Sequence, residues 1–94
     1  MSEITRAARL EATLRAAFHP SELLVQDDSA RHAGHAGAAP GGETHFTVRI
    51  VSDSFTGLSR VARSRAVNTA LASEFTGGLH ALSLHLRAPD ENQT

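Results

Sequence analysis

Two segments of alternating apolar and polar residues flank a long stretch without glycine or proline, and this arrangement restricts the possible topologies more than any other feature. The first segment, residues 44–52, reads THFTVRIVS, and the second, residues 79–86, reads LHALSLHL. Alternation with a period of two predicts strands that bury one face. Residues 58–75 between them carry leucine, valine and alanine at helical spacing, and glycines follow where a helix is expected to end. The order strand, helix, strand predicts a right-handed parallel crossover.

The remaining segments complete a small α+β domain. Apolar residues recur every three or four positions from Ile4 to Phe18, which predicts a first helix that ends before Pro20. The short apolar segment Glu22–Gln26 predicts a strand. We therefore expect helix, strand, strand, helix, strand, with a three-stranded mixed sheet and helices on one face. Residues 1–94 should form a single domain, because a chain of this length has no room for two cores.

A glycine-rich connection separates the first two predicted strands. Residues 27–44 include four glycines and one proline, so the sequence predicts a flexible loop that is long for a compact domain. Residues 88–94 are predicted to form a polar, frayed tail.

Composition restricts the chemistry that this chain can perform. It has no cysteine, and all nine basic residues are arginine, so neither a thiolate nor a lysine is present for catalysis. We therefore expect a binding protein and not an enzyme. A net charge of −1 argues against binding nucleic acid by bulk electrostatics alone. No stretch is apolar enough for a signal peptide or a membrane span, so a cytoplasmic location is expected.

Four of the six histidines are candidates for a binding site. His32 and His35 are three residues apart in the loop, a spacing that suits metal capture, although a solvated polar loop explains them equally well. His45 begins a strand and is more typical of a structural residue than of a ligand. His80 shares a predicted strand face with three leucines, and by itself that position favours a core histidine.

Zinc is a rival interpretation of the loop histidines. The ligands would be drawn from His32, His35, His45 and either Asp27 or Asp28. Structural zinc sites use four protein ligands, usually at recognisable spacings, and no such spacing occurs here.

Four motifs, in this order and spacing, are similar to those of the BolA family. They are VQDDSARHAGH, GGETHFTVRIVSDSFTG, RVARSRAVNTAL and LHALSLHLRAP, and the resemblance runs from about Leu10 to Pro89. No motif is specific by itself, but the ordered set is. The resemblance implies a fold like that of a type II K-homology domain, in agreement with the predicted elements.

The resemblance also implies a partner and a shared cofactor. Proteins of this family bind monothiol glutaredoxins through a bridging [2Fe-2S] cluster, to which the glutaredoxin contributes a cysteine and a bound glutathione. Carried over to this chain, His80 is the implied strand ligand, and His32 or His35 is the implied loop ligand. Iron–sulfur clusters are held mainly by thiolates, so a chain without cysteine can contribute only imidazole. The implied role is cluster trafficking or iron-responsive regulation, and the free protein is expected to be a monomer or a weak homodimer.

A DNA-binding regulator is the alternative function that the resemblance implies. The contact surface would be the second predicted helix and the turn that follows it, and the candidate contacts are Arg60, Arg63 and Arg65. Many family members have a histidine where this chain has Ser64, and a lysine where it has Leu58. The chain also lacks the GxxG loop of RNA-binding K-homology domains, which argues against RNA.

Overall fold

The computed structural model describes residues 4–28 and 44–91. The helices and strands, with one 3₁₀ turn at Asp53–Phe55, follow in the order α1 (Arg6–Phe18), β1 (Glu22–Asp27), β2 (His45–Val51), α2 (Arg60–Ala70), α3 (Ala72–Thr76) and β3 (Ala81–Arg87). The predicted loop histidines and the last three residues lie outside the described residues. No helix in the described ranges is long and apolar enough to cross a membrane.

The three strands form one mixed sheet in the order β1-β2-β3. β1 pairs with β2 antiparallel, with Leu24 opposite Arg49. β2 pairs with β3 in parallel, with Arg49 opposite His85. The α+β class, the three-stranded mixed sheet and the parallel pairing across the second helix are therefore confirmed.

The hydrophobic core lies between the helices and one face of the sheet. β2 contributes Phe46, Val48 and Ile50, which are 2%, 0% and 0% exposed. The helical part of the chain contributes the buried residues Leu10, Leu14, Phe18, Val67 and Leu71, and Ala7, Ala66, Ala70 and Phe75 pack against this cluster. The residues that alternate with the core positions of β2 and β3 point to the opposite face, which leaves that face of the sheet open.

The first helix ends before Pro20, as the sequence predicts, and a side chain caps its start. The Thr5 side chain accepts a hydrogen bond from the backbone N–H of Ala8 at 3.1 Å and caps the N-terminus. His19 adopts a left-handed conformation (φ 45°), and its N–H donates to the carbonyl of Arg15. Pro20 follows at once, so the chain turns directly into β1.

The single helix predicted over residues 58–75 is wrong, because the chain forms two helices that meet at Leu71. Ser59 caps the first of them and accepts from the N–H of Ala62, so Leu58 lies outside the helix. Leu71 has φ −104° and ψ 15° and is only 1% exposed. The bend at Leu71 keeps this leucine in the core and directs α3 toward the start of α1, where Glu74 meets two arginines of α1.

Of the residues in the predicted polar tail, Ala88 is 1% exposed and Glu91 is ion-paired with Arg63, whereas Pro89 and Asp90 are exposed.

Candidate metal-ligand site

His45 and His80 meet at one end of the sheet. Their ring centroids are 5.8 Å apart, and the ring planes are inclined by 79°. The parallel register pairs His45 with Ala81, so His80 lies one residue before the start of β3. The two imidazoles therefore belong to the amino-terminal ends of adjacent parallel strands.

Thr44 holds the backbone of this site together. Its carbonyl accepts hydrogen bonds from the N–H groups of both His80, at 2.9 Å, and Ala81, at 3.1 Å. Its hydroxyl Oγ1 lies 2.9 Å from Nδ1 of His45. Because Thr44 is only 7% exposed, this hydroxyl is a fixed partner that orients the His45 ring.

His80 is exposed and not a core histidine. The two consecutive N–H groups bound to one carbonyl interrupt the alternation just before β3, so Leu79 enters the core at 3% exposure and the ring of His80 faces solvent. His45 is partly buried beside it. A pair with one exposed ring is accessible to a partner molecule.

The remaining predicted metal ligands are His32, His35 and the two aspartates of the zinc interpretation. His32 and His35 lie outside the described residues. Asp28, a candidate in the zinc interpretation, accepts hydrogen bonds from the Gln26 amide and the Thr47 hydroxyl. Across residues 4–28 and 44–91, no group of three or more histidine, aspartate or glutamate side chains is placed to hold a metal ion.

The donor set fits one half of a shared cluster. Two imidazoles on one iron, with thiolates on the other, is the ligand pattern of Rieske centres. The full sequence has no cysteine, so the thiolates for such a cluster must come from another molecule. The fixed hydroxyl beside Nδ1 of His45 is also the kind of outer partner that orients a ligating imidazole.

The three candidate DNA contacts do not form one surface. Arg60 and Arg65 are exposed on α2, whereas Arg63 is 8% exposed. The Arg63 guanidinium donates to the carboxylate of Glu91 through Nη1 at 2.7 Å and Nη2 at 2.6 Å, and Nε donates to the Leu58 carbonyl at 3.0 Å. Arg63 therefore joins α2 to the segment after β3, and it is not available to phosphate in this structure.

The Arg63–Glu91 pair shifts both groups toward their charged forms. Hydrogen bonds from Arg63, and then from the backbone N–H of Ala88, lower the pKa of Glu91 from 4.5 to about 2. The hydrogen bond to Glu91 raises the pKa of Arg63, against the opposing effect of burial.

Comparison with known proteins gives consistent matches. The sequence profile of the BolA-like protein family matches residues 14–91. An uncharacterized protein from the cobS 5′ region of Sinorhizobium sp. is 49% identical over 83 residues, covering 87% of this chain and 89% of that protein. The DNA-binding transcriptional regulator BolA of Escherichia coli K12 is 47% identical over 77 residues, covering 82% of this chain and 70% of the regulator. The structure of BolA1 from Arabidopsis thaliana matches with a TM-score of 0.86 and 41% identity, over 98% of this chain and all of that one. None of these matches indicates a catalytic family.

Proposed function

This chain belongs to the BolA-like protein family, and from that premise we propose that it binds a monothiol glutaredoxin and shares a bridging [2Fe-2S] cluster with it. The cytoplasmic location expected from the sequence stays a prediction.

The observation that carries this proposal is the pair of imidazoles at the start of β2 and β3. His80 is exposed, and its ring lies beside that of His45 with 5.8 Å between centroids. The backbone N–H of His80 is hydrogen-bonded to the carbonyl of Thr44, so the side chain of His80 extends from a fixed point on the sheet. A ligand that is held in place before its partner arrives loses little conformational freedom on binding.

Imidazole ligands suit a complex that exchanges its cluster. When bound, the cluster supplies one-electron chemistry and a bridge between two proteins, and imidazole ligands raise its reduction potential relative to thiolates. Imidazole must be neutral to bind a metal, so protonation competes with binding as pH falls. These properties agree with a role in cluster trafficking or iron-responsive regulation.

Two parts of the chain are candidates for the second histidine ligand of the cluster. The resemblance implies a loop histidine, His32 or His35, whereas the proximity of the rings adds His45 as a candidate. If His45 binds through Nε2, its proton sits on Nδ1 and is donated to the Thr44 hydroxyl 2.9 Å away.

The test is titration of this protein into a glutaredoxin that carries a reconstituted [2Fe-2S] cluster. Visible absorption and circular dichroism report the ligands of the cluster, and size exclusion reports the complex. We expect His80→Ala to abolish the mixed-ligand spectrum, and either His45→Ala or the double change His32→Ala with His35→Ala to alter it, which identifies the second ligand. His85→Ala is the control, since this exposed histidine lies five residues along β3. An unchanged spectrum on addition of the wild-type protein, with no complex, would refute the proposal.

A DNA-binding regulator is the second candidate, and the similarity to the Escherichia coli regulator supports it. Its contacts on α2 would be Arg60 and Arg65, which are exposed, without Arg63.

A further inference from the structure

The chain reaches His80 through a tight turn that follows α3. Gly78 has φ 120°, a backbone conformation that favours glycine. The N–H of Leu79 donates to the carbonyl of Glu74 at 2.9 Å, and the N–H of Gly78 donates to that of Phe75 at 3.4 Å. These two bonds are those of a Schellman motif. Leu79 is 3% exposed, so its side chain anchors the turn in the core, and His80 follows at the surface.

Arg6, the first residue of α1, extends across to this turn. Its Nη2 donates to the carbonyl of Gly77 at 2.8 Å, and its Nε donates to Oε1 of Glu74 at 3.0 Å. The guanidinium lies against the second glycine, since a Cβ added at Gly78 would be 3.4 Å from Nη2. The side chain of Arg6 is only 12% exposed. One side chain therefore joins α1 both to α3 and to the residue that ends α3.

The position of Arg6 is not explained by α1 itself. The first turn of this helix has no acidic residue, and a cation at a helix N-terminus opposes the macrodipole. The contacts of Arg6 with Glu74 and Gly77 offset this cost. They also restrain a segment with two consecutive glycines, which have more backbone freedom in the unfolded chain than any other residue.

Arg9 provides a natural comparison for Arg6. It binds the same carboxylate, with Nε 2.8 Å from Oε2 of Glu74 and Nη2 3.0 Å from Oε1. Its Nη1 donates to the carbonyl of Ile4 at 3.0 Å, whereas Nη2 of Arg6 donates to that of Gly77. The two arginines thus share Glu74 and differ in the backbone carbonyl that they bind.

We infer that Arg6 is a positioning residue for His80, because it fixes the backbone from which the imidazole extends. The carbonyl of Thr44 holds the N–H of His80 from the side of β2. Arg6 holds the chain three residues earlier, at Gly77, from the side of α1. The direction of the His80 ring depends on both restraints.

This inference rests on the proposed function where it concerns the cluster. If His80 is a cluster ligand, loss of Arg6 leaves the imidazole present but less fixed before the partner arrives. Partners that orient a metal ligand typically change metal affinity by roughly 10–100-fold. Because Arg6 acts on His80 through the backbone, we expect an effect at the lower end of this range.

Amide hydrogen exchange of the apo protein tests the restraint without any cluster. The variants are Arg6→Met and, as the matched control, Arg9→Met; each removes one guanidinium and keeps an unbranched apolar side chain. The amides of Leu79 and His80 report opening of the turn. The amide of Val48, a residue of the central strand that is 0% exposed, reports global unfolding.

We expect Arg6→Met to accelerate exchange at Leu79 and His80 by about tenfold relative to Val48. Arg9→Met should leave this ratio at the wild-type value, because a general loss of stability accelerates exchange at all three amides. In the complex with a glutaredoxin, visible circular dichroism follows cluster loss to a chelator. Arg6→Met should lose the cluster about tenfold faster than the wild type, and Arg9→Met at the wild-type rate.

An exchange ratio that is the same in Arg6→Met and the wild type would overturn the inference, whatever the cluster does. Faster local exchange without faster cluster loss would overturn it too, because Thr44 alone would then position His80. A wild-type protein that forms no cluster complex would instead refute the proposed function, and the exchange ratio would still decide whether Arg6 fixes the backbone of His80.

Discussion

Arg63 in α2 and Glu91 after β3 are joined by two parallel hydrogen bonds, from Nη1 to Oε1 at 2.7 Å and from Nη2 to Oε2 at 2.6 Å. The guanidinium also lies over the ring of Phe55, with 6.0 Å to the centroid. The pair therefore ties the segment after β3 to α2. It also turns an arginine that the sequence placed among the DNA contacts into a structural residue.

The pH dependence of stability should report the Arg63–Glu91 pair. The folded protein lowers the pKa of Glu91 from 4.5 to about 2, so the unfolded chain takes up this proton first as pH falls. The stabilisation is therefore complete above the unfolded value and is lost between about pH 4.5 and pH 2. Urea unfolding of the wild type and Glu91→Gln across this range should show that the two stabilities converge at low pH. Asp90→Asn, which changes the neighbouring exposed carboxylate, is the control: the difference between its unfolding free energy and that of the wild type should not change across this pH range.

Glu74 should contribute more to stability than an exposed glutamate on α1. It accepts from Arg6 at 3.0 Å and from Arg9 at 2.8 Å, and its side chain is 14% exposed. Glu74→Gln is expected to lower the free energy of unfolding by about 1–3 kcal/mol, because two guanidinium groups lose their carboxylate. Glu11→Gln, which breaks an exposed pair with Arg15 at 3.4 Å, should cost less than about 0.5 kcal/mol. Equal midpoints of denaturation for the two variants would contradict this account.

The parts of the fold that the sequence predicted are those that depend on local patterns. The alternation in residues 44–52 predicts β2, and the glycine-free stretch before residue 76 predicts a helical connection and the parallel crossover, although not its division into two helices. The bend at Leu71 has no glycine or proline to mark it, because it arises from long-range contacts of Leu71 with the core and of Glu74 with α1. The link between Arg63 and Glu91 spans 28 residues, and no local spacing reveals it.

In the candidate site, too, local patterns predict some features, and contacts between distant residues determine the others. His80 was predicted on the leucine face because the alternation of LHALSLHL includes it. In the structure, Thr44 binds two consecutive N–H groups and shifts the phase at that point. The contact of His80 with His45 was available from the predicted parallel pairing, since both residues start neighbouring strands. The pattern of a single strand does not show this contact, because it forms between two strands of the sheet.

Removal of the Thr44 hydroxyl should weaken the proposed cluster complex if His45 is the second ligand. Oγ1 of Thr44 lies 2.9 Å from Nδ1 of His45 and fixes the ring, and loss of such outer partners lowers metal affinity by roughly 10–100-fold. We expect Thr44→Val to accelerate cluster loss to a chelator, followed by visible circular dichroism, while Thr44→Ser retains the wild-type rate. Equal rates of cluster loss for Thr44→Val and Thr44→Ser would assign the second ligand to a loop histidine, His32 or His35.

DNA affinity should depend on Arg60 and Arg65 and on no other arginine of α2. Both are exposed, so each can neutralise one phosphate, and removal of one phosphate contact reduces the salt slope of binding by about 1. Titration of Arg60→Ala and Arg65→Ala against a mixed-sequence duplex, at several salt concentrations, measures this slope. Arg49→Ala is the matched control, because Arg49 is exposed on the open face of the sheet, opposite the helices. Arg63→Ala should instead lower the melting temperature, since its hydrogen bonds to Glu91 and Leu58 are lost. If all four variants bind the duplex as the wild type does, α2 is not a DNA-binding surface.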